Sequence, residues 1–273
     1  MGFLAMTGKQ TPPSFPPRIA GGNAAKNSSR AAGGKACLLA LETSGKTVSF
    51  AVLDEDRLVC EVLTSLAVQQ KDSFPLWISH WLNEIGISMG QLMGVAVSIG
   101  PGSFTSLRVG MSLAKGICLA RNIPLWAVPT LKAMAHGIPA TNHLLCPTTF
   151  ARKGECYAAL YSNVSGELQE VEPPFVADAG TLVEHLTANR LPGGDTPQHD
   201  DPLPRPTWIW GEGALALQQD IEPLLEKGHS IQRGDIFLLR ASAIARLAQA
   251  QIADGDDPAA PDLEPYYLKS FSR

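Results

Sequence analysis

Ser98-Ile99-Gly100-Pro101-Gly102-Ser103-Phe104-Thr105-Ser106-Leu107-Arg108 joins an apolar strand, Val95 to Ile99, to a helix predicted from about Thr105 to Ala120. The Gly-Pro-Gly turn lets the backbone come close to a neighbour. Ser103 and Thr105 are suited to cap the helix, so that its first-turn N–H groups face the turn. A helix start of this kind favours an anion or a carboxylate. Yet the segment holds no general base, no metal-ligand pair and no activated nucleophile. Gly100, Gly102, Ser103 and Thr105 are therefore candidates for an anion or nucleotide loop, with a purely structural turn as the plainer alternative.

Upstream, Cys37–Leu41, Thr47–Leu53 and Arg57–Leu63 read as three strands of a β-meander with polar turns between them. A helix follows, with Asp72 or Ser73 as its cap and Pro75 in its first turn, where a missing N–H is harmless. Phe74, Trp77, Ile78, Trp81, Leu82 and Ile85 recur along it at helical spacing. Downstream come a strand at Pro124–Val128 and a helix capped by Thr130 that ends near His136. A second strand-rich half begins near residue 141, with a hairpin turn at Arg152–Glu155 and a strand Cys156–Tyr161. Then come a short helix at Leu182–Leu186, a Pro-rich loop at 191–206, a strand at Trp208–Trp210 and an Ala-rich helix over 241–253. This order predicts an α/β protein of two lobes: 37–140 and a smaller 141–273.

Of the 273 residues, 45% are hydrophobic, enough for a substantial core. The first 36 residues hold five of the 22 basic residues and no acidic one, which leaves 17 basic against 26 acidic residues in the remainder. An acidic body is a poor independent RNA binder, because phosphate contacts need Lys and Arg. Residues 1–36, rich in Gly, Pro, Ser and Asn, are expected to be disordered. A transit peptide and a start at Met6 are both open for them. Five cysteines without a C-x-x-C pair read as reduced thiols of a cytoplasmic protein. None of the six histidines forms H-x-x-x-H or H-E-x-x-H, so no helical metal site is expected. There is no Walker A lysine motif and no G-x-S-x-G elbow. Ser103 has no base near it in sequence that would make it a nucleophile.

Glu42-Thr43-Ser44-Gly45 between two strands has the shape of the phosphate-facing hairpin of sugar kinases, actin and Hsp70-type ATPases. Gly211-Glu212-Gly213-Ala214 vaguely resembles the glycine turn that backs adenosine in those proteins. Four segments taken in order are more specific: Leu39–Ser44, Ser98–Gly110, Arg152–Tyr157 and Glu264–Leu268. Together they closely resemble the TsaB (YeaZ-like) family, the B subunit of the bacterial machinery that makes threonylcarbamoyladenosine in tRNA.

That resemblance implies a two-lobed actin-like ATPase fold (ASKHA, ribonuclease H-like) with a reduced second lobe. It implies a non-catalytic subunit that binds and activates a TsaD-like catalytic subunit, joined by a TsaE-like P-loop ATPase. Threonylcarbamoyl then goes to the adenosine beside the anticodon, and tRNA contact by this chain is indirect. A homodimer is expected when the partner is missing. No cofactor is expected on the chain alone, and ATP at the complex interface is left open. The family's partner surface falls on the two helices, here Phe74, Trp77, Ile78, Trp81, Leu82, Leu107, Met111 and Ala114. The alternative is an ATP-binding transferase acting alone through Glu42, Thr43, Ser44 and the glycine loop. Several positions depart from the family pattern: Glu42 stands for Asp, Asp72-Ser73 for His-Ser, Ser106 for Gly and Phe150 for Asp.

Overall fold

The computed structural model describes residues 37–65, 74–188, 206–225, 228–234 and 237–268. The predicted tail 1–36, the Asp72/Ser73 cap and the Pro-rich loop up to residue 205 lie outside the described residues. Two five-stranded mixed sheets form the body. The first is built from β1 (Cys37–Glu42), β2 (Thr47–Asp54), β3 (Arg57–Ser65), β4 (Leu92–Ser98) and β5 (Leu125–Val128), in the order β3-β2-β1-β4-β5. β1 runs antiparallel to β2 and parallel to β4.

The second sheet repeats this plan. Its strands are β6 (Thr141–Arg152), β7 (Glu155–Asn163), β8 (Gln169–Ala177), β9 (Thr207–Gly211) and β10 (His229–Ile231). Their order is β10-β9-β6-β7-β8, with β6 antiparallel to β7 and parallel to β9. The second lobe thus keeps every strand of the first. Its reduction lies in the helices. The first sheet's fourth strand leads into an 18-residue helix, α2 (Phe104–Arg121), whereas β9 leads into α5 (Glu212–Ala216) and α6 (Gln218–Ile221), of five and four residues.

β1 is buried along its whole length, which explains its unbroken apolar sequence. Cys37, Leu39 and Leu41 face α1 (Phe74–Glu84) and α2, while Leu38 and Ala40 face α7 (Ala241–Asp254). On α1, Phe74, Ile78 and Leu82 lie at four-residue spacing and are all buried. Asn122, at φ 49°, ends α2 in the left-handed region, and its N–H donates to Cys118 O.

The last helix of each lobe crosses over. α3 (Thr130–His136), which follows β5, packs Leu131, Met134 and Ala135 with Leu145, Tyr161 and Trp210 of the second sheet. α7 follows β10 and belongs by sequence to the second lobe, but its Ala241, Ile244, Ala245 and Ala248 pack on the first sheet. A boundary at residue 141 therefore divides the sheets but not the helices. α4 (Ala179–Ala188), α5 and α6 cover the far side of the second sheet.

Six of the eight residues expected at a partner surface, Phe74, Ile78, Leu82, Leu107, Met111 and Ala114, are buried inside this chain. Their apolar spacing marks the inner faces of α1 and α2, since a helix on a sheet buries its most apolar stripe first. Trp77 and Trp81 are half-buried at the edge of the same core, together with Leu113 and Ile117.

Candidate functional site

The β1–β2 turn rests against the loop between β4 and α2. Ser103 N–H donates to Ser44 O at 2.7 Å, and Thr43 Oγ1 donates to Ser106 O at 2.9 Å. A Cβ on Gly102 would stand 2.6 Å from Ser44 O, and one on Gly110 would stand 2.1 Å from Thr43 Oγ1. These glycines make room for the chain's own backbone and side chains. Thr149, from the second sheet, donates through Oγ1 to Pro101 O at 3.1 Å. The predicted loop residues Glu42, Thr43, Ser44, Gly100, Gly102 and Ser103 are thus brought together, while Thr105 is exposed on the first turn of α2. The Ser103 hydroxyl does not cap a backbone N–H; it donates to Ser106 Oγ at 3.0 Å.

Glu42 is 1% exposed. Its Oε1 accepts the Ser44 N–H and the Ser44 hydroxyl, each at 2.5 Å. Burial pushes its carboxyl above the usual range, the Ser44 and Ser98 hydroxyls and the Ser44 N–H oppose that rise, and the charge of Glu212 adds to it. Ser98 faces the same carboxyl, yet neither its hydroxyl nor Glu42 Oε2 completes a well-formed hydrogen bond.

Glu212 opens α5 in the second lobe, and its Oε1 accepts the Lys46 N–H at 2.5 Å. A Cβ on Gly45 would lie 2.8 Å from that oxygen. A carboxylate of the chain itself therefore sits at the hairpin, where backbone N–H groups would receive an anion. Ser44, Lys46, Gly100 and Ser103 all donate their N–H groups to protein acceptors. Sequence alone noted the glycines around Glu212 but not its role. The acid between two glycines at a strand end was the available signal.

The matching turn in the second lobe is packed as tightly. Gly211 has φ +105°, and a Cβ there would lie 2.0 Å from Thr148 O. Thr148 Oγ1 donates to Trp210 O and accepts from Ala214 N–H, both at 2.7 Å. A Cβ on Gly213 would stand 2.5 Å from that of Cys156. This turn packs helix on sheet.

The C-terminal segment straps the first lobe. Ala259 N–H donates to Leu125 O at 2.8 Å, Lys115 Nζ to Leu263 O at 2.6 Å and Tyr266 N–H to Ile99 O at 2.7 Å. Arg108 Nε donates to Tyr267 OH at 3.3 Å, and its guanidinium lies 3.9 Å from the centre of the Phe104 ring. The structure gives Arg108 these two aromatics and pairs Arg152 with Glu155 at 2.5 Å. Among the described residues, no three His, Cys, Asp or Glu side chains come together to hold a metal ion, and all five cysteines are free thiols.

A family model described as TsaD, tRNA N6-adenosine threonylcarbamoyltransferase, matches residues 67–200. The tRNA threonylcarbamoyladenosine biosynthesis protein TsaB of Bacillus subtilis (strain 168) is 32% identical over 220 residues, which cover 78% of this chain and 96% of that protein. The chain belongs to the TsaB family. The Haemophilus influenzae TsaB is 33% identical and covers 85% of this chain and 93% of its own length. YeaZ from Pseudomonas aeruginosa superposes with a TM-score of 0.65 at 21% identity, over 85% of this chain and all of that one. The fold is thus the two-lobed one expected of TsaB. Among the departures from the family pattern, Ser106 is buried and supplies the carbonyl that accepts from Thr43, while Phe150 is exposed. No helix among the described residues is long and apolar enough to cross a membrane.

Proposed function

We propose that this TsaB-family chain is a non-catalytic partner subunit in threonylcarbamoyladenosine synthesis. It holds a TsaD-like catalytic subunit in its productive shape, and a TsaE-like ATPase joins the pair. The observation that carries this reading is the Glu212 carboxylate on the Lys46 N–H. A nucleotide phosphate at the hairpin would meet that carboxylate in place of free N–H groups. The same contact disfavours an ATP-dependent transferase acting alone. Cytoplasmic location and indirect tRNA contact belong to the same proposal.

The docking face assigned to the partner is the outward side of α1 and α2. It comprises the half-buried Trp77 and Trp81 with Leu76, which is 68% exposed on α1. Size-exclusion chromatography of the chain with its cognate TsaD-like subunit tests the proposal. A stable complex is expected, along with no ATP hydrolysis or threonylcarbamoyl transfer by the chain alone. Steady turnover by the isolated chain sinks it. Leu76→Asp, which disturbs no core contact, and Trp81→Asp are each expected to weaken the complex at least about tenfold. Undiminished binding by both moves the partner off this face.

A further inference from the structure

An opening with a volume of about 490 Å³ lies between the end of α3 and the start of α7. His136, Arg240, Ser242 and Arg246 line it, and Ala133, Ala243 and Leu238 supply apolar wall. Its charge is one-sided. Glu61 on β3 reaches Arg240 at 3.5 Å, but its other oxygen is taken by the Ser242 N–H at 2.8 Å. The first N–H groups of α7 are likewise committed, Ala241 to Ser49 Oγ and Ala243 to Arg240 O. Whatever enters is therefore met by side chains and not by the helix end. Arg246 is exposed and has no carboxylate partner among the described residues, and no carboxylate lines the opening.

We propose that this opening binds a small phosphomonoester, with its phosphate between Arg246, His136 and the Ser242 hydroxyl and its organic part against the apolar wall. A guanidinium presents a planar pair of donors that matches phosphate oxygens. The uncompensated charge of Arg246, with the Ser242 hydroxyl and the His136 imidazole as further hydrogen-bonding groups, suits the several oxygens of a phosphate better than the two of a carboxylate. The cavity exceeds a bare oxyanion and falls within the range of roughly 300–1,000 Å³ usual for small-ligand sites. A nucleic-acid strand fits less well, because the chain's net charge is -4 and repels a long polyanion.

The electrostatics of His136 agree. Burial holds its imidazole below its ordinary value, and the charges of Arg246 and Lys132 push it further down. Lys132 lies on its own helix, Arg246 on α7 and Arg240 in the segment before α7, with Glu61 reaching in from β3 to Arg240. A bound dianion would offset that positive field and raise the imidazole pKa.

Calorimetric titration of the full chain with inorganic phosphate and with AMP tests the site. Saturable binding is expected for both, tighter for AMP. Arg246→Glu is expected to weaken it at least about tenfold with the thermal midpoint of the free protein unchanged, and Arg121→Glu, on α2, is expected to leave it intact. Sulfate, whose charge is constant across the range, is the probe for pH. NMR titration should show the His136 imidazole pKa rising when sulfate is present. No binding by about 10 mM ligand, binding indifferent to Arg246→Glu, or a His136 titration unmoved by sulfate overturns the site. Equal affinity for phosphate and AMP overturns the organic half of the proposal.

Discussion

The two lobes share one strand plan, yet their glycine turns do different work. After β4, the Ile99–Ser103 segment carries a long helix and is held by contacts from outside: Ser44, Thr130, Thr149 and Tyr266. After β9, the Gly211–Ala214 turn is held by its own neighbour strand through Thr148. From there it sends Glu212 across to the first lobe. The same topology thus yields one turn that receives contacts and one that reaches out. The difference follows from what comes next. An 18-residue helix buries a broad apolar face and is stable on the sheet, while a five-residue helix has little to bury and depends on its fixed start.

Replacing the first glycine of each turn should separate them most. In Gly211→Ala the new methyl meets a backbone carbonyl at 2.0 Å in a left-handed conformation. A loss of about 3–5 kcal/mol is expected in urea unfolding, or failure to fold. In Gly100→Ala the nearest atoms are Tyr266 O at 3.0 Å and a Leu107 methyl at 3.1 Å. The strap and a side chain can shift, so about 2 kcal/mol is expected. Equal losses would mean that the two turns are equally rigid.

Glu212→Ala breaks the reach between lobes. It strips the Lys46 N–H of its acceptor and should cost about 1–2 kcal/mol. Hydrogen exchange at Lys46 should quicken while that at Ala214, which donates to Thr148, stays slow. Equal acceleration of both would show that the turn is not fixed by Thr148.

Glu42→Gln sharpens the comparison from the receiving side, with the smallest effect. The folded-state pKa of Glu42 is raised, so its stabilising share is fully present below the ordinary carboxylate range. It is lost as pH rises through the folded value. The stability of the wild type minus that of the variant should therefore fall from acid to neutral pH. A gap constant across that range would mean that Glu42 titrates as it does in the unfolded chain.

Much of the first lobe was legible in the residues. β1 to β3 are apolar runs split by polar turns, and α3 ends at His136 as expected, although Thr130 is its first residue and Pro129 its cap position. β8 was not, because Gln169-Glu170-Val171-Glu172-Pro173-Pro174-Phe175 looks like loop. It is an edge strand, where prolines and charges cost no ladder bond and discourage aggregation. At the site, Glu42, Thr43, Ser44 and the glycines of the β4–α2 loop were legible as a group. Glu212 was not, since 166 residues separate it from Lys46. The partner-face residues were legible only as an apolar stripe, and a stripe does not say whether a sheet or another protein will cover it.

The residues alone determined most element types and the family, because periodicity, turn chemistry and motif order are local properties. Tertiary structure decided three things. It put six apolar helix residues in the chain's own core, sent α7 back onto the first sheet and filled the hairpin with Glu212. Each depends on which distant surfaces meet, and burial and charge are properties of that meeting rather than of any one segment.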